Sequence, residues 1–98
     1  MELEVGMYVR TLNGKLWIIK SQRAISGHKK DIINASYNII DLIEVGDYVN
    51  GSYVEGFIEK NKFQNKLIIT EAGMIDNNDI KSIVTKEQFE NIEYKVGV

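Results

Sequence analysis

The segment 21–30 combines several kinds of side chain that could bind an anion. It reads Ser-Gln-Arg-Ala-Ile-Ser-Gly-His-Lys-Lys, so two hydroxyls, a glycine, a histidine and three cations lie within ten positions. Backbone N–H groups near a glycine and cationic side chains are typical donors to phosphate oxygens. The segment lacks the G-x-x-x-x-G-K-[ST] and G-x-G-x-x-G patterns, so a solvated hairpin loop is the competing interpretation. The anion-binding residues predicted here are Arg23, His28, Lys29 and Lys30.

Charge is distributed along the chain in blocks. Residues 5–30 contain six cations and no carboxylate, namely Arg10, Lys15, Lys20, Arg23, Lys29 and Lys30. Residues 31–59 contain six carboxylates and no Lys or Arg, and the net charge of the 98-residue chain is −2. The basic block would attract a phosphate, whereas the acidic block would resist wrapping along a polyanion. We therefore expect a small anionic ligand and not long duplex nucleic acid, with Arg10 as a further phosphate contact.

Trp17 lies in a run of four apolar residues, 16–19, bounded by lysine on both sides. A half-solvated strand would alternate apolar and polar residues, so both faces of this strand must be covered or one apolar face is exposed. Three interpretations remain open: a core tryptophan under a C-terminal helix, a stacking surface for a base with Tyr8 across the hairpin, or a seam between two copies of the chain. We include Trp17 among the predicted ligand-binding residues.

The residue types exclude most catalytic chemistry. The chain has no Cys and one His, which removes disulfides, thiol nucleophiles and Cys/His zinc sites. No G-x-S-x-G motif provides a serine nucleophile for His28, and the run 76–79 lacks the glycine and the later glutamate of a calcium loop. We therefore expect a protein that is not an enzyme and that needs neither a cofactor nor a metal.

Turn signals predict short strands around these residues. Glu-Val-Gly at 4–6 recurs at 44–46, each copy continues after one residue with Tyr-Val, and each leads to an Asn-Gly dipeptide, at 13–14 and 50–51. Asn-Gly favours a type I′ turn, because both central residues of that turn need a positive φ. Two hairpins are predicted, residues 7–12 with 15–22 and residues 47–49 with 53–60. Further strands are predicted over 66–70, 80–84 and 92–96.

The C-terminal region and the overall pattern complete the fold prediction. Thr85 and Gln88 have the spacing of a capping box, which predicts one short helical turn. Together these elements predict a single domain over residues 1–98 that is mostly β, a small SH3-like, strongly bent antiparallel β-barrel.

The acidic start is not a secretory signal, and no apolar run approaches the ~20 residues of a membrane span. We expect a cytoplasmic protein without membrane association.

Two segments, 38–51 and 80–89, resemble segments of known proteins. They read NIIDLIEVGDYVNG and IKSIVTKEQF, and through them the chain resembles small phage and prophage proteins of low-GC Gram-positive bacteria, over about residues 3–96. The resemblance implies a small β-barrel-like protein in the cytoplasm of an infected bacterial host. Phage proteins of this size often antagonise host immunity, by occupying a defence protein as anti-CRISPR proteins do or by sequestering a nucleotide signal as sponge proteins do. The resemblance assigns no residue to a ligand.

Two main functions follow from these observations. In the first, a non-catalytic phage protein sequesters a small phosphorylated nucleotide signal, with the cations on its phosphates and Trp17 or a tyrosine on its base. In the alternative, Asp41, Glu44 and Asp47 imitate phosphates and occupy a basic groove of a host defence protein. A nucleic-acid-binding SH3-like module is a further alternative, and the sequence leaves a homo-oligomer open. The first two require the basic and acidic blocks to form separate surfaces.

Overall fold

The computed structural model describes residues 2–59 and 66–92, and its regular structure is mostly β. Eight short strands, two α-helices and two 3₁₀ helices occur in these residues. The strands form two antiparallel sheets, and a short helix lies near the C-terminus, which confirms the predicted fold class and is consistent with a small β-barrel-like fold. The chain forms two compact units, Met1–Ile43 and Glu44–Val98. That the whole chain is a single domain stays a prediction.

Unit 1 contains a three-stranded sheet and one α-helix. Its elements are β1 (Tyr8–Thr11), β2 (Leu16–Ile18), α1 (Gln22–His28), β3 (Ile32–Ser36) and a 3₁₀ helix (Ile39–Leu42). The strand order is β2-β1-β3, so β1 is the central strand. Val9 on β1 is fully buried and forms a core with Ile19 and Ile32, against which Ile25 of α1 and Trp17 of β2 pack. This core fixes α1 beside the hairpin of β1 and β2.

Unit 2 contains a five-stranded antiparallel sheet and the C-terminal helix. Its elements are β4 (Tyr48–Val49), β5 (Ser52–Ile58), β6 (Leu67–Thr70), β7 (Gly73–Ile75), a 3₁₀ helix (Asn77–Asp79), β8 (Ile83–Val84) and α2 (Lys86–Ile92). The strand order is β7-β6-β5-β4-β8. The register of β5 with β6 shifts between Val54 and Gly56, and such a bulge bends a strand and increases its twist. Val49, Val54 and Ile68 are fully buried in this unit.

The repeated Glu-Val-Gly sequence adopts the same backbone turn in both units. Gly6 and Gly46 each have a φ of +99°, which side chains rarely tolerate. The amide of Met7 donates to the carbonyl of Glu4 at 3.2 Å, and the amide of Asp47 donates to the carbonyl of Glu44 at 3.1 Å. Each turn therefore needs its glycine, and each is followed by a strand, β1 or β4.

The two Asn-Gly dipeptides adopt different turns. Asn50 and Gly51 have φ values of 52° and 82°, so the predicted type I′ turn is confirmed between β4 and β5. In the first hairpin Gly14 has a φ of 86°, while Asn13 is not left-handed. The amide of Gly14 donates to the carbonyl of Thr11 at 3.0 Å. The type I′ prediction is therefore wrong at 13–14, where the glycine alone takes the left-handed conformation.

The structure also corrects several predicted boundaries. The centre of segment 21–30 is the helix α1 and not a hairpin loop, and β2 ends at Ile18 where a strand to residue 22 was predicted. The capping box is confirmed, since the amide of Gln88 donates to Thr85 Oγ1 at 3.3 Å and the amide of Thr85 donates to Gln88 Oε1 at 3.1 Å. The helix it caps continues to Ile92. The rest of the predicted strand 92–96 lies outside the described residues.

None of the helices in the described ranges is both long and apolar enough to cross a membrane.

Candidate functional site

A cleft of about 450 Å³ opens in unit 1 between the tip of the β1–β2 hairpin and the end of α1. It contains two of the predicted ligand-binding residues, Trp17 and His28, together with a cation and a carboxylate. Its lining residues are Thr11, Leu12, Asn13, Lys15, Trp17, His28 and Asp31. An aromatic wall with charged groups of both signs can bind a polar, planar molecule.

The aromatic wall is formed by Trp17 and His28. Trp17 lies opposite Val9 in the register of β1 and β2, so it faces the core of unit 1 and is half-buried. Its ring also meets the ring of His28 edge to face, with the centroids 5.4 Å apart and an interplanar angle of 67°. Trp17 therefore contacts α1. Tyr8 pairs with Ile18 and lies on the other face of the strand, which corrects the expected pairing of Tyr8 with Trp17.

Hydrogen bonds hold the two sides of the cleft in place. The hydroxyl of Thr11 donates to Asn13 Oδ1 at 2.5 Å and accepts from the amide of Lys15 at 3.0 Å, which fixes the hairpin tip. The amide of Leu12 donates to the carbonyl of Asp31 at 2.9 Å, and the amide of Asp31 donates to the carbonyl of His28 at 3.0 Å. Because backbone bonds connect the hairpin, residue 31 and the end of α1, a ligand would meet a site that is already formed.

One cation lines the cleft, and three more lie on α1 or directly after it. Lys15 lines it, Lys29 and Lys30 follow His28 directly, and Arg23 lies five residues before His28, ~7.5 Å along the axis of α1. All four side chains are exposed. In the described part of the chain, none of the four forms an ion pair. None of the four charges is therefore neutralised by an ion pair, and that of Lys15 belongs to a residue of the cleft itself.

Arg10 is not part of this surface. Its side chain is fully buried, and its Nη1 atom donates to the carbonyl of Leu42 at 2.9 Å. A side chain that is buried and bonded within the unit cannot reach a phosphate in solvent. We therefore remove Arg10 from the predicted ligand-binding residues and assign it a structural role.

The three predicted partner-binding carboxylates do not form one exposed surface. Asp47 is fully buried, its Oδ2 accepts from the amide of Glu44 at 2.7 Å, and its Oδ1 accepts from the amide of Lys86 at 2.9 Å. Glu44 pairs with Lys86 Nζ at 2.8 Å. Asp41 belongs to unit 1, is exposed, and accepts from the hydroxyl of Ser36 at 2.7 Å. Because Asp47 stabilises the turn and the start of α2, it is removed from the proposed partner surface.

Raised pKa values occur at the two Glu-Val-Gly turns. The hydroxyl of Tyr37 donates to the carboxylate of Glu4, and this hydrogen bond raises the pKa of Tyr37 above its ordinary value. The contact with Glu44 likewise raises the pKa of Lys86. Each contact holds a side chain against a turn. The raised pKa values therefore result from the packing of the turns, and neither Tyr37 nor Lys86 lines the cleft.

Five of the seven lining residues were not predicted as site residues, and two of these five, Lys15 and Asp31, are charged. A signal for Lys15 exists, because it directly follows the Asn-Gly dipeptide that forms the hairpin tip. Asp31 was assigned only to the acidic block, and its place in the cleft depends on the pairing of β3 with β1. That pairing joins residues more than 20 positions apart, and no short-range signal predicts it.

We compared the chain with models of known protein families, with curated proteins and with solved structures, and none of the three comparisons found a match.

Proposed function

We propose that unit 1 is a non-catalytic binding module that captures a small anionic ligand carrying a planar ring, and that this ligand is a phosphorylated nucleotide. The observation that carries the proposal is the cleft in which Trp17 and His28 lie beside Lys15. Its volume of about 450 Å³ falls within the range of small-molecule sites, ~300–1,000 Å³.

The two ends of a nucleotide match two parts of the site. A base can pack against the exposed parts of the Trp17 and His28 rings, and contacts of this kind contribute about 1–3 kcal/mol per base. The phosphate would then lie toward Lys15, which lines the cleft and supplies an ammonium donor. Lys29 and Lys30, which directly follow His28 in the chain, add positive potential. Arg23 adds positive potential from the far end of α1.

Capture alone would be sufficient for the role that the phage resemblance implies. A protein that binds a nucleotide immune signal lowers its free concentration and needs no bond cleavage. We therefore include antagonism of bacterial immunity in the proposal, and the ligands tested below include cyclic dinucleotides as well as mononucleotides.

The fluorescence of Trp17 provides a direct test, because it is the only tryptophan in the sequence. We expect nucleoside monophosphates or cyclic dinucleotides to change its emission in a saturable manner, and the bound ligand to be recovered intact after heating. Lys15→Gln should weaken binding about fivefold, the effect of losing roughly 1 kcal/mol from one exposed charged contact. A matched control is Lys81→Gln, which removes an exposed lysine of unit 2.

Two results would count against the proposal. One is the absence of both a Trp17 response and a calorimetric signal with every nucleotide at millimolar concentration. The other is equal weakening by Lys15→Gln and Lys81→Gln, because that result would indicate a general charge effect and not a site at the cleft.

A further inference from the structure

We infer that the cleft selects guanine among the nucleobases and that the carboxylate of Asp31 is the residue that makes the selection. This inference rests on the proposed function, because it concerns the base of the captured nucleotide. It starts from Asp31, an exposed residue that lines the same cleft as Trp17 and His28.

The carboxylate of Asp31 is available to a ligand. It is exposed, and among the residues that the structure describes it forms neither a hydrogen bond nor an ion pair, although Lys15 lines the same cleft. The backbone of Asp31 is fixed on both sides, by its amide to His28 and by its carbonyl to Leu12. A residue that lines the cleft therefore carries a carboxylate whose two oxygens accept no hydrogen bond from the described residues.

The electrostatics of α1 do not favour an acidic residue at this position. The amide of Asp31 bonds to the carbonyl of His28, the last residue of α1. Carbonyl groups at the end of a helix carry partial negative charge, so a carboxylate beside them is electrostatically unfavourable. Asp31 is thus placed where it does not stabilise the helix but can contact a ligand in the cleft.

Guanine is the base whose edge matches a carboxylate. Its N1–H and N2–H₂ groups are adjacent donors that can bond to the two carboxylate oxygens, as the paired donors of arginine do. Adenine, cytosine and uracil have no two adjacent donors along the same edge, so one of their acceptors would face a carboxylate oxygen. A good bidentate contact to a base corresponds to a preference of about 10- to 100-fold over the wrong base.

The test is a titration of the full chain with GMP, IMP, AMP, CMP and UMP, followed by Trp17 fluorescence and calorimetry. All five probes carry the same phosphate, so differences among them report the base. We expect GMP to bind at least about tenfold more tightly than AMP, CMP or UMP. IMP keeps N1–H but lacks the N2 amino group, so its affinity should lie between those of GMP and AMP.

The variant Asp31→Asn separates selection from capture. It should reduce GMP affinity to the level of AMP while AMP affinity stays equal or improves, since a negative charge near the phosphate is removed. The matched control Asp41→Asn alters another exposed carboxylate of unit 1 that does not line the cleft, and it should leave the GMP/AMP ratio unchanged. Circular dichroism checks that both variants are folded.

The outcomes distinguish the two proposals. Equal affinities for GMP and AMP, or a GMP preference that survives in Asp31→Asn, would overturn the guanine inference and leave nucleotide capture standing. A failure of all five nucleotides and of the cyclic dinucleotides to bind would overturn the proposed function, and the guanine inference with it.

Discussion

Arg10 shows that residue type alone does not identify a binding cation. Arg10, Arg23, Lys29 and Lys30 belong to one basic block of the sequence, yet the last three are exposed while Arg10 is fully buried. The guanidinium of Arg10 donates to the Leu42 carbonyl, and so connects β1 to the 3₁₀ helix at the end of unit 1. Removing a buried hydrogen-bonding group leaves its partner unsatisfied, which costs about 1–3 kcal/mol.

We therefore predict that Arg10→Met lowers the free energy of unfolding by about 2 kcal/mol or more. The matched control is Arg23→Met, at an exposed position of α1, which should change stability by less than about 0.5 kcal/mol. Urea unfolding monitored by circular dichroism measures both values. Equal stability of Arg10→Met and the unmodified protein would contradict the structural role assigned to Arg10.

At the scale of elements, each Glu-Val-Gly turn is covered by a side chain that also contacts the glutamate of the turn. A Cβ atom on Gly6 would lie 3.6 Å from Tyr37 Cε1, and one on Gly46 would lie 3.4 Å from Lys86 Cδ. Tyr37 donates to Glu4, and Lys86 pairs with Glu44. The repeated sequence thus adopts the same backbone turn and makes the same kind of contact in both units. The covering side chain is a tyrosine in one unit and a lysine in the other.

Substitution of glycine by alanine is expected to have opposite effects on stability at Gly46, which lies in a turn, and at Gly27, which lies in a helix. Gly46→Ala should destabilise the protein by about 1–3 kcal/mol, because alanine is strained at a φ of +99°. Gly27 lies inside α1, has no left-handed φ and has open space around its Cα, so Gly27→Ala should stabilise by about 0.5–1 kcal/mol. Thermal and urea unfolding of the two variants check the signs. A stabilising Gly46→Ala would show that the turn does not require glycine.

The helix α1 illustrates a limit of local sequence signals. It contains Ser26 and Gly27, both of which are unfavourable in a helix interior. Its N-cap residue, Ser21, makes no side-chain capping hydrogen bond. Ile25 packs against the buried core of unit 1. Tertiary packing therefore stabilises a helix that propensity and capping alone do not predict. The C-terminal helix differs, because its capping box is visible in the sequence and is formed in the structure.

At the scale of the whole molecule, the basic and acidic blocks of the sequence do not become two separate surfaces. Asp31 from the acidic block lines the same cleft as Lys15 from the basic block. Arg10 and Asp47 are buried. The premise that each block forms its own surface is therefore wrong for these residues. Nucleotide capture needs only the part of that premise that concerns exposed cations without an ion pair. In the described part of the chain Lys15, Arg23, Lys29 and Lys30 meet this condition.

The two raised pKa values predict how the stability of the protein depends on pH. Tyr37 and Lys86 have ordinary values of 10.0 and 10.5, and both values are raised in the fold. A raised pKa means that the protonated form is favoured in the folded state, so its contribution is complete below the ordinary value and is lost as the pH rises through the folded value. We expect the free energy of unfolding to fall above about pH 10 through these groups.

Urea unfolding at pH 8, 10 and 11 measures this alkaline loss. In the double variant Tyr37→Phe and Lys86→Met the loss between pH 8 and 11 should be smaller than in the unmodified protein, because neither group can then release a proton. The two single variants should each remove part of the loss. An unchanged loss in the double variant would contradict the assignment to these contacts.

The sequence by itself determined the features that depend on neighbouring residues: the mostly β class, the Asn50–Gly51 turn, the repeated Glu-Val-Gly turn and the capping box of α2. These features follow from allowed φ values and from hydrogen bonds that span a few residues. The tertiary structure decided that α1 forms, that Arg10 is buried and that Asp31 joins Lys15 and Trp17 in one cleft. Each of these depends on packing or strand pairing between segments that are distant in the sequence. The free energy of such contacts cannot be inferred from a short stretch of sequence.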